Sequence, residues 1–227
     1  DGLVFNMDAA NRACYPKTGT TTADTIDDLT GTLTNGTTFS NDNEGIFGFD
    51  GTDDYIGYSN PSYLNFNADD TFSFSIWFKK GSSGTTQCAF SKTLGSGDYT
   101  GYLMYFSGNL LYFRLRENAS NFHQIRDNTT HPLDTWVNYI ATYDGSRTGS
   151  GLGLKLYQNG VKLTNVQRSG NFPSGTGQST EDFVIGGRSN GSTLYFDGSI
   201  GNLQIYNREL SKNEVLHNYN ALKNRFI

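Results

Sequence analysis

The residues of this 227-residue chain that could do chemistry fall into four groups, and their spacing separates them. Glutamate occurs only at Glu44, Glu117, Glu181, Glu209 and Glu214. Retaining glycoside hydrolysis needs two carboxyl groups about 5 Å apart, one as nucleophile and one as acid. Glu181 and Asp182 are adjacent and would point to opposite faces of a strand, while Glu209 and Glu214 flank a helix start, so no such pair is expected. The second group, His123, His131 and His217, has no Gly-x-Ser-x-Gly elbow to work with, and neither His nor Cys shows zinc-ligand spacing. Asp50, Asp53, Asp54 and Asp197 form a third group of oxygen donors beside turn residues, which suits a hard cation and equally suits turn formation alone.

The fourth group consists of aromatic side chains near predicted strand ends: Tyr58, Tyr63, Tyr99, Tyr102, Phe122, Phe172 and Tyr195. Asn60, Asp98, Asn121, Arg126 and Arg188 are close to them in sequence. Exposed rings stack on sugar faces, and amide, carboxylate and guanidinium groups bind sugar hydroxyls. Tyr99, Tyr102, Asp98, Phe122, Arg126 and Arg188 are therefore the candidate glycan-binding residues. Trp77 and Trp136 sit in apolar runs and are expected in the core.

Strands must position all of these groups. Thr71–Lys79 alternates strictly: Phe72, Phe74, Ile76 and Phe78 share one face, and Ser73, Ser75 and Trp77 the other. Further strands are predicted over 2–6, 46–50, 55–58, 87–92, 102–106, 110–115, 122–126, 136–143, 183–186 and 194–206. A hairpin over 152–158 and 161–166 turns on Asn159-Gly160, the pair that supplies two positive-φ residues. The polar stretch Asp8–Thr38 shows little periodicity and reads as an irregular excursion with one short paired segment near Gly31–Leu33. One helix is predicted, at the C-terminus. Ser211 and Glu214 form a capping box, Leu210 and Val215 a hydrophobic staple, and Val215, Tyr219, Leu222 and Phe226 one apolar stripe. Lys223 and Arg225 lie at its negative end.

Composition agrees. Aromatic residues make up 14% against 35% hydrophobic overall, and 27 glycines imply many turns between short strands. The net charge of −5 argues against a nucleic-acid surface, which needs clustered Lys and Arg. No apolar run approaches the roughly 18 residues of a membrane-spanning helix, so membrane insertion is not expected. Cys14 and Cys88 are read as two separate thiols, with a single bridge as the alternative. The expected architecture is all-β: a two-sheet antiparallel jelly-roll sandwich with one C-terminal helix, forming a single domain over residues 1–227.

Five segments in order resemble the laminin-G-like jelly rolls of the concanavalin A-like lectin/glucanase superfamily. They are Phe47-Gly48-Phe49-Asp50-Gly51-Thr52-Asp53-Asp54-Tyr55-Ile56, the Trp77 strand 72–79, the Trp136 strand 136–145, the hairpin 156–163 with Ile185-Gly186-Gly187-Arg188, and the strand-to-helix ending. The polar N-terminal style and the ending 218–226 resemble segments of tailed-phage virion proteins. The enzymes of the superfamily carry two glutamates bracketing an aspartate on one strand, and this chain has no such triplet, so the resemblance implies a binding domain and not a glycosidase. It implies a glycan or a virion or cell-surface protein as partner, a virion-surface or extracellular setting, and compatibility with self-association. A second reading is a capsid or tail decoration domain that docks on other virion subunits. The resemblance also implies Ca²⁺, for which Asp50, Asp53, Asp54 and Asp197 are the candidate ligands. Where many relatives read Gly-Ser-Ile-Asp, this chain reads Gly198-Ser199-Ile200-Gly201, which removes one carboxylate from that site.

Overall fold

The computed structural model describes residues 1–93, 99–146, 153–170, 179–188 and 194–227. In chain order the strands are β1 (Leu3–Asp8), β2 (Thr21–Ala23), β3 (Thr30–Thr34), β4 (Thr38–Ser40), β5 (Ile46–Asp50) and β6 (Tyr55–Tyr58). Next come β7 (Phe72–Lys80), β8 (Gln87–Thr93), β9 (Gly101–Ser107), β10 (Leu110–Arg116), β11 (Phe122–Asp127) and β12 (Trp136–Tyr143). The last are β13 (Leu154–Gln158), β14 (Val161–Lys162), β15 (Val166–Ser169), β16 (Phe183–Ile185) and β17 (Asp197–Tyr206), followed by helix α1 (Lys212–Phe226). They form two antiparallel sheets. One has eight strands in the order β14-β13-β12-β7-β17-β5-β4 with β1 also on β17, and the other has nine in the order β15-β11-β10-β9-β8-β16-β6-β3-β2. This is the expected jelly-roll sandwich with one C-terminal helix.

The core between the sheets is aromatic. Phe72, Phe74 and Phe78 point into it from β7, as their alternation requires. Phe74 stacks on Phe90 at 5.1 Å between ring centres and meets Tyr102 at 4.8 Å. Phe78 stacks on Tyr139 at 5.7 Å. Offset and edge-on ring pairs of this kind add about 1 kcal/mol each beyond the area they bury.

Trp77 is fully buried, but on the other side of its sheet. There it stacks on Phe226 at 4.6 Å and on Tyr219 at 5.7 Å, and Phe226 also meets Trp136 at 4.7 Å. The helix thus closes the outer face of the eight-stranded sheet with its apolar stripe. Its start is built as expected: the Ser211 hydroxyl accepts from Glu214 N at 3.3 Å, and Ser211 N donates to Glu214 Oε2 at 2.8 Å. The Arg208 guanidinium 2.7 Å from Glu214, together with the Ser211 amide, holds that carboxyl down at about 2. The end of the helix does more than balance its dipole. Arg225 pairs with Asp8 at 2.7 Å and donates to the carbonyls of Asn43 and Gly45, both at 2.6 Å, which ties the helix to β1 and to the approach to β5.

The polar stretch 8–38 is more ordered than its composition suggests. It contributes β2 and β3, and its centre is Asp24, which accepts from the amides of Asn6 at 2.7 Å and of Ile26 and Asp27 at 3.1 Å each. A buried carboxylate with several N–H donors organises backbone that has no hydrophobic period of its own. The hairpin at Asn159-Gly160 has both residues at positive φ, 50° and 77°, but its return strand divides. Only Val161–Lys162 pairs with β13, and Val166–Ser169 crosses to β11 in the other sheet. Cys14 and Cys88 are separate buried thiols.

His131 is 1% exposed, lies among Phe78, Phe106 and Tyr139, and has no hydrogen-bond partner on either ring nitrogen among the described residues. Burial, and secondarily the Lys80 ammonium, push its pKa down to about 4. Its neutral form is stable above the ordinary histidine value; as pH falls from about 6.5 to 4 the unfolded chain takes up a proton that the folded chain refuses. We expect that step to cost up to about 3 kcal/mol, and His131→Phe to remove it, measured by urea unfolding at pH 7 and pH 4.5. At the helix contact, Phe226→Ala should cost about 3 kcal/mol. Gly201→Asp should destabilise comparably, because a Cβ at Gly201 would lie 2.5 Å from the Phe226 ring; unfolding midpoints at neutral pH check both.

Candidate functional site

The outer face of the nine-stranded sheet is built from residues that alternate with the core. On β10, Leu111, Phe113 and Leu115 face inward, which leaves Tyr112, Arg114 and Arg116 on the outside. On β11 the outward set is Phe122, Gln124 and Arg126, and the pairing register puts Arg126 opposite Tyr112, Gln124 opposite Arg114 and Phe122 opposite Arg116. On β9, Tyr105 lies opposite Tyr112 and stacks on it at 4.9 Å, and Gly101 lies opposite Arg116. The result is a ladder of rings and guanidinium groups across three hydrogen-bonded strands.

Arg114 lies 4.8 Å from the centre of the Phe122 ring and 5.2 Å from that of Tyr105. Its Nε donates to Gln124 Oε1 at 2.5 Å, an oxygen that also accepts from the Tyr105 hydroxyl at 3.0 Å. Arg116 lies over Tyr99 at 5.0 Å and over Phe122 at 5.9 Å, and Arg188 lies over the same Tyr99 ring at 5.0 Å. Arg126 donates to the Tyr112 hydroxyl at 3.2 Å and to Asn128 Oδ1 at 2.9 and 3.1 Å. Burial, then the like charges of Arg114 and Arg188, push Arg116 down to about 10, which leaves it cationic at neutral pH. The buried Nε of Arg116 has no hydrogen-bond acceptor among the described residues.

Four of the candidate glycan-binding residues, Tyr99, Phe122, Arg126 and Arg188, therefore come together on one partly exposed face. Tyr102 does not join them. It is 0% exposed, because the alternation of β9 sends Tyr102 inward with Met104 and Phe106, and its ring packs on Phe74. Asp98 and Phe172 lie outside the described residues. Tyr58 is also core, and Tyr63 donates to Asp24 at 3.4 Å. Arg114, Arg116 and Tyr105 were not among the expected site residues. Their signal was the second face of Tyr112-x-Arg114-x-Arg116, visible once the inward face of that strand is recognised.

A second cluster occupies the turn between β5 and β6. Oxygens of Asp50, Asp53 and Asp54 lie within 4.8 Å of one another. Asp50 Oδ1 accepts from the amides of Thr52 at 2.7 Å and Asp53 at 3.4 Å, which holds its carboxyl below the usual range. Asp54 accepts from Gly36 N at 2.6 Å and Asp50 N at 3.0 Å, while burial pushes it upward. The oxygen spacing fits a Ca²⁺ ion, whose opposite ligands stand about 5 Å apart. Asp197 sits across from Asp50 in the register of β17 and lines the adjoining cleft of about 440 Å³ with Asp50, Asp54 and Asp134, but it is not one of the three clustered carboxylates. Gly201 belongs to the helix contact, where its missing Cβ makes room for Phe226.

Among the other titratable groups, His217 is exposed on the helix, while four more have structural roles or are buried. Glu209 is 2.6 Å from Lys155, Glu214 caps the helix, and His123 and His131 are buried.

Among solved structures, the binding domain of botulinum neurotoxin serotype G aligns with a TM-score of 0.71 at 16% identity, over 96% of this chain and 51% of its own. The binding domain of botulinum neurotoxin DC in complex with rat synaptotagmin II aligns at 0.70 and 16%, over 98% and 52%. A botulinum neurotoxin type C structure, described as entering cells in dependence on two ganglioside molecules, aligns at 0.69 and 15%, over 98% and 52%. The chain spans about half the length of these structures, and at such identities the likeness is one of fold. No curated protein sequence matches the chain. Residues 50–216 match the Laminin_G_3 family, and with the two-sheet sandwich around the Trp77 strand this chain belongs to the concanavalin A-like lectin/glucanases superfamily.

Proposed function

We propose that this chain is a non-catalytic binding domain that recognises a glycan or a protein surface through the outer face of its nine-stranded sheet, at a virion or other extracellular surface. One observation carries the reading: the ladder Arg114, Phe122, Arg116, Tyr99 and Arg188 stands partly exposed on a sheet face, whereas helix α1 lies over the corresponding face of the other sheet. Rings and arginines at a surface are the side chains most often found at the energetic centre of a contact. The structurally similar toxin domains are described as binding a protein receptor in one case and gangliosides in another, which supports a surface-recognition role. The resemblance to virion segments supports the setting.

A decoration domain would call for a broad apolar patch. The exposed large hydrophobics among the described residues are Ile26, Val161, Leu216 and Ile227, and of these Leu216 packs over Gly160, next to Val161. That area is small beside the ladder, so the ladder is favoured.

Arg116→Ala with Phe122→Ala is expected to abolish signal on a glycan array or in capture from a surface-protein library while leaving the unfolding midpoint within a few degrees. Retention of binding by that double variant would overturn the assignment of the face. We further propose that Asp50, Asp53 and Asp54 hold a Ca²⁺ ion that tightens the β5–β6 turn. Saturating calcium should then raise the unfolding temperature of the wild type by about 4 °C over an EDTA control and leave Asp53→Asn unchanged. An equal response in both proteins would count against the site.

A further inference from the structure

The rings of the ladder are not bare platforms. Phe122 has Arg114 at 4.8 Å and Arg116 at 5.9 Å from its centre, and Tyr99 has both Arg116 and Arg188 at 5.0 Å. Tyr105 is stacked on Tyr112 and also lies under Arg114. A sugar on this face would meet guanidinium groups as well as rings, with the rings holding the cations in place. Rigidly held guanidinium groups recognise planar or tetrahedral oxyanions through paired N–H donors.

Positive charge also gathers here. The chain as a whole carries −5, yet Arg114, Arg116 and Arg188 are close enough for their charges to act on one another. Among the described residues no carboxylate forms an ion pair with Arg114 or Arg116. The buried Arg116 Nε has no acceptor among the described residues, a costly state for a charged group. Beside it, Gly101 leaves the position opposite Arg116 without a side chain, and a Cβ there would lie 1.9 Å from the Lys92 carbonyl oxygen.

We infer that this face binds an acidic saccharide, with the carboxylate or sulfate of a sugar ring held by Arg114, Arg116 and Arg188. The inference rests on the binding face proposed above and adds the chemical class of its ligand. A saccharide fits better than an acidic peptide because β10 is paired on both sides, to β9 and β11. Its backbone has no free edge for an extended peptide to join, so the ligand must be read by side chains alone.

The test compares charged polymers with their neutral counterparts: polygalacturonate against its methyl ester for carboxylate, and dextran sulfate against dextran for sulfate. Poly-glutamate serves as the acidic peptide. Binding of at least one acidic polysaccharide is expected, with its neutral counterpart at least tenfold weaker, and affinity should fall as salt is raised from 50 to 200 mM. Arg116→Gln should weaken the acidic ligand at least tenfold, Arg116→Lys should restore part of it, and the distant Lys212→Gln should not matter. Unchanged unfolding midpoints establish that the variants are folded. The arm that binds distinguishes carboxylate from sulfate. Equal binding of charged and neutral polysaccharides, lost on Phe122→Ala, would overturn the acidic ligand and keep the binding face. Poly-glutamate binding without saccharide binding would do the same in favour of a protein partner. No binding by any of them, or binding unaffected by Arg116→Gln, would overturn the inference, and binding in the surface screen above that also survives the double variant would overturn the face as well.

Discussion

Strand β7 is buried on both faces, and most of the architecture follows from that constraint. Its inward side carries Phe72, Phe74, Ile76 and Phe78 into the aromatic core, while Trp77 on the other side needs a separate cover. An antiparallel sheet can leave one face to solvent, but a Trp at the centre of that face cannot be left there without exposing a large apolar area. Helix α1 supplies the cover through Phe226 and Tyr219. Gly201 and Arg225 then become explicable: the first makes room for the Phe226 ring, and the second fastens the helix end to β1 and to the chain entering β5. The glycine at position 201 thus answers to packing.

With one outer face covered by the helix, the face proposed for recognition is the outer face of the other sheet. The outer face of the nine-stranded sheet is neither apolar enough to require a cover nor plainly hydrophilic. Its arginines lie over rings, which packs their apolar flanks, and Arg114 and Arg126 are held further by hydrogen bonds to Gln124, Tyr112 and Asn128. Gln124 shows how such a face is kept in order: it accepts from Arg114 and Tyr105 and donates to Ser169 on β15 at 3.2 Å. Orientation is therefore prepared before any ligand arrives, which reduces the entropy lost on binding. The acidic turn is organised differently, by carboxylates that accept backbone amides within the turn and from Gly36 across it.

Much of the fold was legible because its signals are local. Strict alternation located β7, Asn159-Gly160 located a hairpin turn, and Ser211 with Glu214 located the start of the helix. Local signals were weakest in the stretch 8–38, where β2 and β3 are held by pairing with each other and with β6, and the turn between them by the buried carboxylate of Asp24, not by periodicity. The hairpin after Gly160 was read as one continuous strand, whereas its second half is drawn into the other sheet by pairing with β11.

For the site, the sequence by itself determined residue types and the two-residue period: rings and arginines are interleaved along 99–126, and no glutamate pair with catalytic spacing is present. It did not determine which side of each strand would be sealed. Tyr102 and Tyr105 are both tyrosines on the same strand, yet one packs on Phe74 in the core and the other on Tyr112 outside. Tertiary structure also decided that Arg188, remote in sequence, would share the Tyr99 ring with Arg116. The physical reason is that alternation divides a strand into two faces without naming them. The name comes from what the other sheet and the helix bring against each face, and those partners are distant in the chain.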